Sequence, residues 1–144
     1  VPEIQIKRLD EGMPLPAQAH AGDAGFDLCA RIDGVLAPAG GRLLVPTGLA
    51  IALPLGYAGF VLPRSGLALN HGISVVNAPG LIDAHYRGEL MVVMLNTDPI
   101  RPYHISRGDR IAQLVVQQVE HITWTEVDSL DDNDRGGGFG HSGR

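Results

Sequence analysis

Four short segments carry side chains suited to a phosphorylated ligand. In Pro63-Arg64-Ser65-Gly66-Leu67 an apolar run ends and enters a stretch that suits a helical turn. A helix start offers unpaired backbone N–H groups and a partial positive charge, both of which favour an anion. Arg64 and Ser65 add a charged and a neutral donor at that point. The same residues suit a capped turn at the end of a strand. Asn77 to Glu89 reads NAPGLIDAHYRGE. Pro79-Gly80 marks a turn. A hairpin with an inward carboxylate, Asp83, and an aromatic ring, Tyr86, shortly after it would form a slot for a sugar and a base. Asp83 would there act as general base for a water. On its own the motif is better described as an aspartate bonding a turn amide and a half-buried tyrosine.

Arg107 to Leu114 reads RGDRIAQL, a turn followed by an apolar strand. Gln113 either donates its amide to a phosphate oxygen or faces solvent from an edge strand. The last segment, 128–144, is DSLDDNDRGGGFGHSGR, with Leu130 and Phe139 as its only large apolar residues. It cannot build a core. It reads as a frayed terminus or as a flexible strand whose stacking ring and arginine close over a nucleotide.

Other chemistries lack their residues. With one cysteine and six scattered histidines there is no zinc-ligand spacing. The chain has no GxxxxGK[ST] loop, no GxGxxG after a strand and no GxSxG elbow. The single Cys29 excludes an intramolecular disulfide framework and suits a reducing compartment, so a soluble cytoplasmic protein is expected. A net charge of −5 argues against general binding to nucleic acid. No apolar run is long enough to span a bilayer and the N-terminus has no signal pattern, so no membrane partner is expected.

These residues need a scaffold. The chain has 144 residues, 44% apolar and 19% charged, which fits one globular domain. Gly (19) and Pro (10) make up about a fifth of it and leave little room for long helices. Strand-length runs rich in Val, Ile and Leu lie at 4–9, 26–32, 42–45, 49–53, 58–62, 73–76 and 89–95. Such spacing predicts an all-β sandwich, barrel or jelly roll. One helical turn is expected, at 66–70. The stretch 109–134 is free of Gly and Pro; its β-branched residues favour strand, although a helical stripe also fits. We divide the chain into a β core, 1–127, and a Gly-rich tail, 128–144.

In order, AGDAGFDL at 21–28, PRSGLAL at 63–69, NAPGLIDAHYRGE at 77–89, RGDRIAQL at 107–114 and RGGGFGHSG at 135–143 resemble the five motifs of the trimeric dUTPases. The resemblance covers nearly the whole chain. It implies a jelly-roll-like fold with one short helix, a homotrimer with sites shared among subunits, and hydrolysis of dUTP to dUMP and pyrophosphate with Mg2+. It implies that Asp27 holds magnesium through water and that Arg64, Ser65, Gly66 and Gln113 bind phosphate. Asn77 and the backbone from Gly80 through Leu81 and Ile82 to Met91 would read uracil. Asp83 would activate the water and touch the sugar, and Tyr86 would lie under the deoxyribose and leave no space for a 2′-hydroxyl. In the tail, Arg135 would reach the γ-phosphate, Phe139 would cover the uracil, and His141 and Ser142 would add phosphate contacts.

Two positions depart from the family pattern. The tail has one residue fewer between Arg135 and Phe139, and position 85 is His, which is expected to point outward and take no part in catalysis. Three rival readings fit less well. A dCTP deaminase on the same fold would need a glutamate near Val93. A non-catalytic nucleotide sensor would not need Asp83. A structural jelly roll would leave Asp27, Arg64, Gln113 and Arg135 without a purpose.

Overall fold

The structure is a computed structural model that describes residues 1–131, 136–140 and 143. Its elements, in chain order, are β1 (Gln5–Arg8), β2 (Phe26–Cys29), β3 (Gly34–Leu36), β4 (Gly41–Ala52), β5 (Tyr57–Leu62), α1 (Ser65–His71), β6 (Ile73–Val75), β7 (Gly80–Ile82), β8 (Glu89–Asn96), β9 (Tyr103–Ile105) and β10 (Arg110–Gln118). Among the described residues they form two four-stranded sheets, β1-β4-β8-β6 and β2-β10-β5-β7, and a small pair, β3-β9. Every pairing is antiparallel. This is a jelly-roll architecture with one short helix.

Period-two burial explains the layers. Along β8, Leu90, Val92, Met94 and Asn96 turn inward while Glu89, Met91, Val93 and Leu95 lie on the other face. The inward set joins Leu28, Leu36, Val45, Ile73 and Ile111 in a single core. Asn96 is the polar exception, and its groups are paired. Its amide donates to the Leu36 and Arg101 carbonyls at 3.2 and 2.8 Å, and its oxygen accepts from Asp98 N–H at 2.9 Å.

Several element boundaries differ from the sequence reading. The runs at 42–45 and 49–53 belong to one strand, β4, interrupted by a register shift between Pro46 and Ala50. Gly48, at φ 74°, takes the bulge conformation, and Thr47 Oγ1 donates to Leu90 C=O at 2.7 Å to hold it. Among the described residues of 109–134, strand is confined to β10; residues 120–131 are exposed and lie outside any regular element. Its β-branched composition gives strand preference but no partner strand. The short pair β3-β9 went unread because three-residue strands beside Pro and Gly give little periodic signal. Asn77 to Glu89 is not a paired hairpin: β7 bonds to β5 and β8 to β4 and β6, so residues 83–88 cross between sheets.

Candidate active site

The register of the second sheet brings three of the expected phosphate and metal residues together. Gln113 of β10 lies opposite Asp27 of β2 on one side and Leu62 of β5 on the other. Two residues after Leu62 the chain reaches Arg64, which caps α1 in an extended conformation (φ −96°, ψ 132°). The helix starts here because Pro63 ends the ladder, and it stops at Gly72, whose left-handed backbone (φ 66°) suits a glycine C-cap. No acidic residue sits in the first turn to fill its N–H groups.

Arg64 Nε lies 3.3 Å from Asp27 Oδ1, and Arg64 Nη1 donates to the Arg110 carbonyl at 3.2 Å. Arg110 Nη1 stands 3.8 Å from Asp27 Oδ2. The Asp27 side chain is 18% exposed, so this carboxylate faces two guanidiniums in a mostly covered place. Beside it, Gln113 Nε2 donates to Pro63 C=O at 2.9 Å. That bond fixes the amide, and its oxygen comes to rest over Gly25, where any Cβ would overlap it. Ser65, Gly66 and Gly25 help line the resulting open cleft of about 360 Å³. Two other cavities, of about 410 and 240 Å³, lie elsewhere and lack this concentration of polar donors.

The cleft's donor set decides what kind of metal it suits. Among the described residues no group of three or more His, Cys, Asp or Glu side chains could hold a metal. A cleft with only Asp23 and Asp27 as carboxylates, the second between arginines, fits an ion that keeps its water and takes most ligands from phosphate oxygens, as magnesium does. Cys29 does not compete for this role: burial, and then the Asp27 charge, push its thiol up and keep it protonated.

The second group sits elsewhere. Gly80 pairs with Val61 and Ile82 with Gly59, so Asp83 emerges beside Ala58. From there to Arg64 is six residues along β5, roughly 20 Å at about 3.3 Å per residue. Within one protomer, therefore, Asp83 does not meet Asp27, Arg64 or Gln113. Around Asp83 the chain makes a turn, with Tyr86 N–H donating to the Asp83 carbonyl at 3.0 Å. Tyr86 Oη donates to the Glu89 carbonyl at 2.7 Å. Asn77 lies against Gly80, which is buried; a Cβ there would be 3.3 Å from Asn77 Nδ2. Leu81 is exposed, Ile82 and Met91 are half-buried, and His85 points to solvent. Phe139 is fully exposed with φ 47°. Arg135, His141 and Ser142 lie outside the described residues.

Sequence reasoning passed over Arg110 and Gly25 as site residues. Both stand inside segments already singled out, but only the strand register shows that Arg110 turns toward Asp27 and that Gly25 lies beneath Gln113.

Such a jelly roll, with a carboxylate, two arginines and a helix start around one cleft, defines a protein built to hold a phosphorylated ligand. The dUTPase family model matches residues 11–143, and the chain belongs to the dUTPase family. It is 60% identical over 141 residues to the deoxyuridine 5′-triphosphate nucleotidohydrolase of Thermobifida fusca, covering 97% of this chain and 78% of that one. The corresponding protein of Corynebacterium glutamicum is 58% identical over 142 residues, covering 98% and 95%. Among solved structures, the dUTPase of Staphylococcus bacteriophage 80alpha with dUpNHpp superposes with a TM-score of 0.91 at 26% identity over the full length of both chains. A mutant dUTPase from phage phi11 of S. aureus, solved for its coordination of a structural Mg(II) ion, gives 0.81 at 25% identity, covering 89% and 98%.

Proposed function

We propose that this protein hydrolyses dUTP to dUMP and pyrophosphate, which limits uracil in DNA and supplies dUMP for dTMP synthesis. One observation carries the reading: Asp27, Arg64 and Gln113 converge at a helix start in a chain that shares 60% of its residues with a deoxyuridine 5′-triphosphate nucleotidohydrolase.

In this reading the triphosphate lies in the cleft. Arg64 presents its guanidinium, already oriented by Asp27 and the Arg110 carbonyl, and Ser65 and Gly66 present helix-start N–H groups. Gln113, fixed by Pro63, adds a neutral amide. Magnesium, when bound, would neutralise charge on the phosphate oxygens, and Asp27 would hold it through water. Asp83 accepts a proton from the attacking water as its oxygen bonds to the α-phosphorus, and the bond to the bridging oxygen breaks in line to release pyrophosphate. Asn77 and the backbone from Gly80 to Met91 read uracil, and Tyr86 lies under the deoxyribose. A thymine methyl in an apolar pocket is worth only about 1–3 kcal/mol, so rejection of dTTP rests on a stiff backbone wall. From the tail, Phe139 covers the base and Arg135, His141 and Ser142 close on the phosphates.

The separation of Asp83 from Arg64 along β5 supports a site completed by other copies of the chain, as in the homotrimer that the family resemblance implies. The exposed apolar side chains of Ile122, Trp124 and Leu130, beyond the last strand, support an assembly that covers them. Among the described residues no helix is long and apolar enough to cross a membrane. The place of action we infer is the cytoplasm, in keeping with the free Cys29.

The test is turnover of dUTP, dTTP, dCTP and UTP by the purified protein, with and without a chelator. The reading requires dUMP and pyrophosphate from dUTP, far slower reaction with the others, and loss of activity with the chelator. Release of ammonia without pyrophosphate, or equal rates on UTP, would overturn it.

A further inference from the structure

Tyr86 and Gly88 lie two residues apart in the crossing between β7 and β8, and the tyrosine ring folds back over the glycine. A Cβ placed on Gly88 would lie 2.6 Å from Tyr86 Oη, 2.8 Å from its Cζ and 3.2 Å from its Cε2. Gly88 is not among the positive-φ glycines, so its backbone would accept an L side chain. What excludes a side chain there is the ring.

The ring is also tethered at its tip. Tyr86 Oη donates to the Glu89 carbonyl at 2.7 Å, and Glu89 is itself anchored. Its Oε1 accepts from Gly48 N–H at 3.1 Å and from Arg31 Nη1 at 2.9 Å, while Arg31 Nε reaches Asp10 Oδ2 at 3.2 Å. The next residue, Leu90, accepts from Thr47 Oγ1 at 2.7 Å. The acceptor for the phenol is thus clamped to the bulge of β4. A ring with 42% exposure would otherwise be able to change rotamer. A mobile ring makes a poor steric wall, because it can swing aside when one extra oxygen arrives.

We propose that Gly88 is a positioning residue for sugar discrimination. Its missing side chain is the space in which the Tyr86 ring reaches the Glu89 carbonyl, and the ring held in that way is the wall that rejects a 2′-hydroxyl. The proposal deepens the reading of Tyr86 as the group under the deoxyribose and rests on it. An alanine at 88 pushes the ring off its bond. Ribonucleotide then gains relative to deoxyribonucleotide, because the wall has become soft.

The experiment compares kcat/KM for dUTP and UTP in the full-length protein and its Gly88→Ala, Tyr86→Phe and Tyr86→Ala variants, together with the double variant Gly88→Ala/Tyr86→Ala. The dUTP-to-UTP ratio falls about three- to tenfold in Gly88→Ala, the scale of one lost hydrogen bond. It falls in the same direction in Tyr86→Phe, which removes the tether and leaves the glycine. In the Tyr86→Ala background, Gly88→Ala changes the ratio no further. A purely structural role would lower both substrates alike and leave the ratio unmoved. An unchanged ratio in Gly88→Ala, beside a clear fall in Tyr86→Ala, overturns the role of Gly88 and spares that of Tyr86. An unchanged ratio in Tyr86→Ala overturns the underlying reading of the ring. If Gly88→Ala fails to fold, Tyr86→Phe decides: a ratio equal to wild type overturns the proposal.

Discussion

Arg64 Nε lies 3.3 Å from Asp27 Oδ1, so the chain's first acidic motif orients the arginine of its second. Because Arg64 Nη1 also bonds the Arg110 carbonyl, the guanidinium is held as a fork at the mouth of the cleft. Lysine has one charged point and cannot hold both partners and a phosphate. Arg64→Lys is expected to lower kcat/KM for dUTP about 10- to 100-fold, the scale of a lost charge-assisted hydrogen bond. Steady-state kinetics check this, and a loss below about twofold would remove Arg64 from phosphate binding.

The amide of Gln113 depends on Gly25 in the same way. A Cβ at Gly25 would overlap Gln113 Oε1, and its backbone is not in the left-handed region, so alanine there acts through the glutamine. Gly25→Ala and Gln113→Ala are each expected to raise KM for dUTP about two- to tenfold, and the double variant to do no more than either. Additive losses in that cycle would contradict the coupling.

Two carboxylates line the cleft with Arg64 and Gln113: Asp23, whose Oδ2 accepts from His20 N–H at 2.9 Å, and Asp27, which faces Arg64 and Arg110. Asp27→Asn should therefore shift the magnesium requirement and not abolish turnover at saturating metal. The magnesium concentration for half-maximal rate is expected to rise about 10- to 100-fold, as for other outer-shell partners. Titration of activity against magnesium measures it; an unchanged midpoint would take the metal away from Asp27.

How much of this was legible in the sequence depends on what each residue's role requires. The strands of the core announced themselves by alternation, as β8 does. The helix appeared where Pro63 and Gly72 bracket it, one residue longer at each end than expected. The resemblance of the ordered motifs named Asp27, Arg64 and Gln113 as parts of one site, and the strand register then sets Gln113 between Asp27 and Leu62, two residues before Arg64. The bulge at Gly48 was not legible, since Pro46 and Gly48 read as a break between strands when they are an interruption within one. Nor was the separation of Asp83 from Arg64, which arises because β7 leaves β5 at the end remote from the helix. Close approaches, such as Gln113 over Gly25 or Tyr86 over Gly88, leave no trace in composition or periodicity.

Asp10 ties the N-terminal segment to the turn before β10 and gives a pH signature. Hydrogen bonds from Arg107, at 2.7 and 3.1 Å, and then from Gly12 N–H hold its carboxyl well below the usual carboxylate range. A carboxylate depressed in the folded state adds stability above its unfolded pKa of about 3.9 and loses it as pH falls toward the folded value. The wild type is expected to melt above Asp10→Asn at neutral pH, with the gap constant down to about pH 5 and shrinking below about pH 4. Thermal unfolding across pH 3–8 measures it; a gap that widens on acidification would contradict the pairing.

The central claim is that Asp83 of one protomer serves the cleft formed by Arg64 of another. Asp83→Asn and Arg64→Ala are each expected to be nearly inactive alone. Refolded together in equal amounts, they should recover about a quarter of wild-type activity, since a random trimer joins an intact Asp83 to an intact Arg64 at about one site in four. A mixture that forms hybrid trimers and stays as inactive as its components would show that both residues must come from the same chain, and would contradict the account.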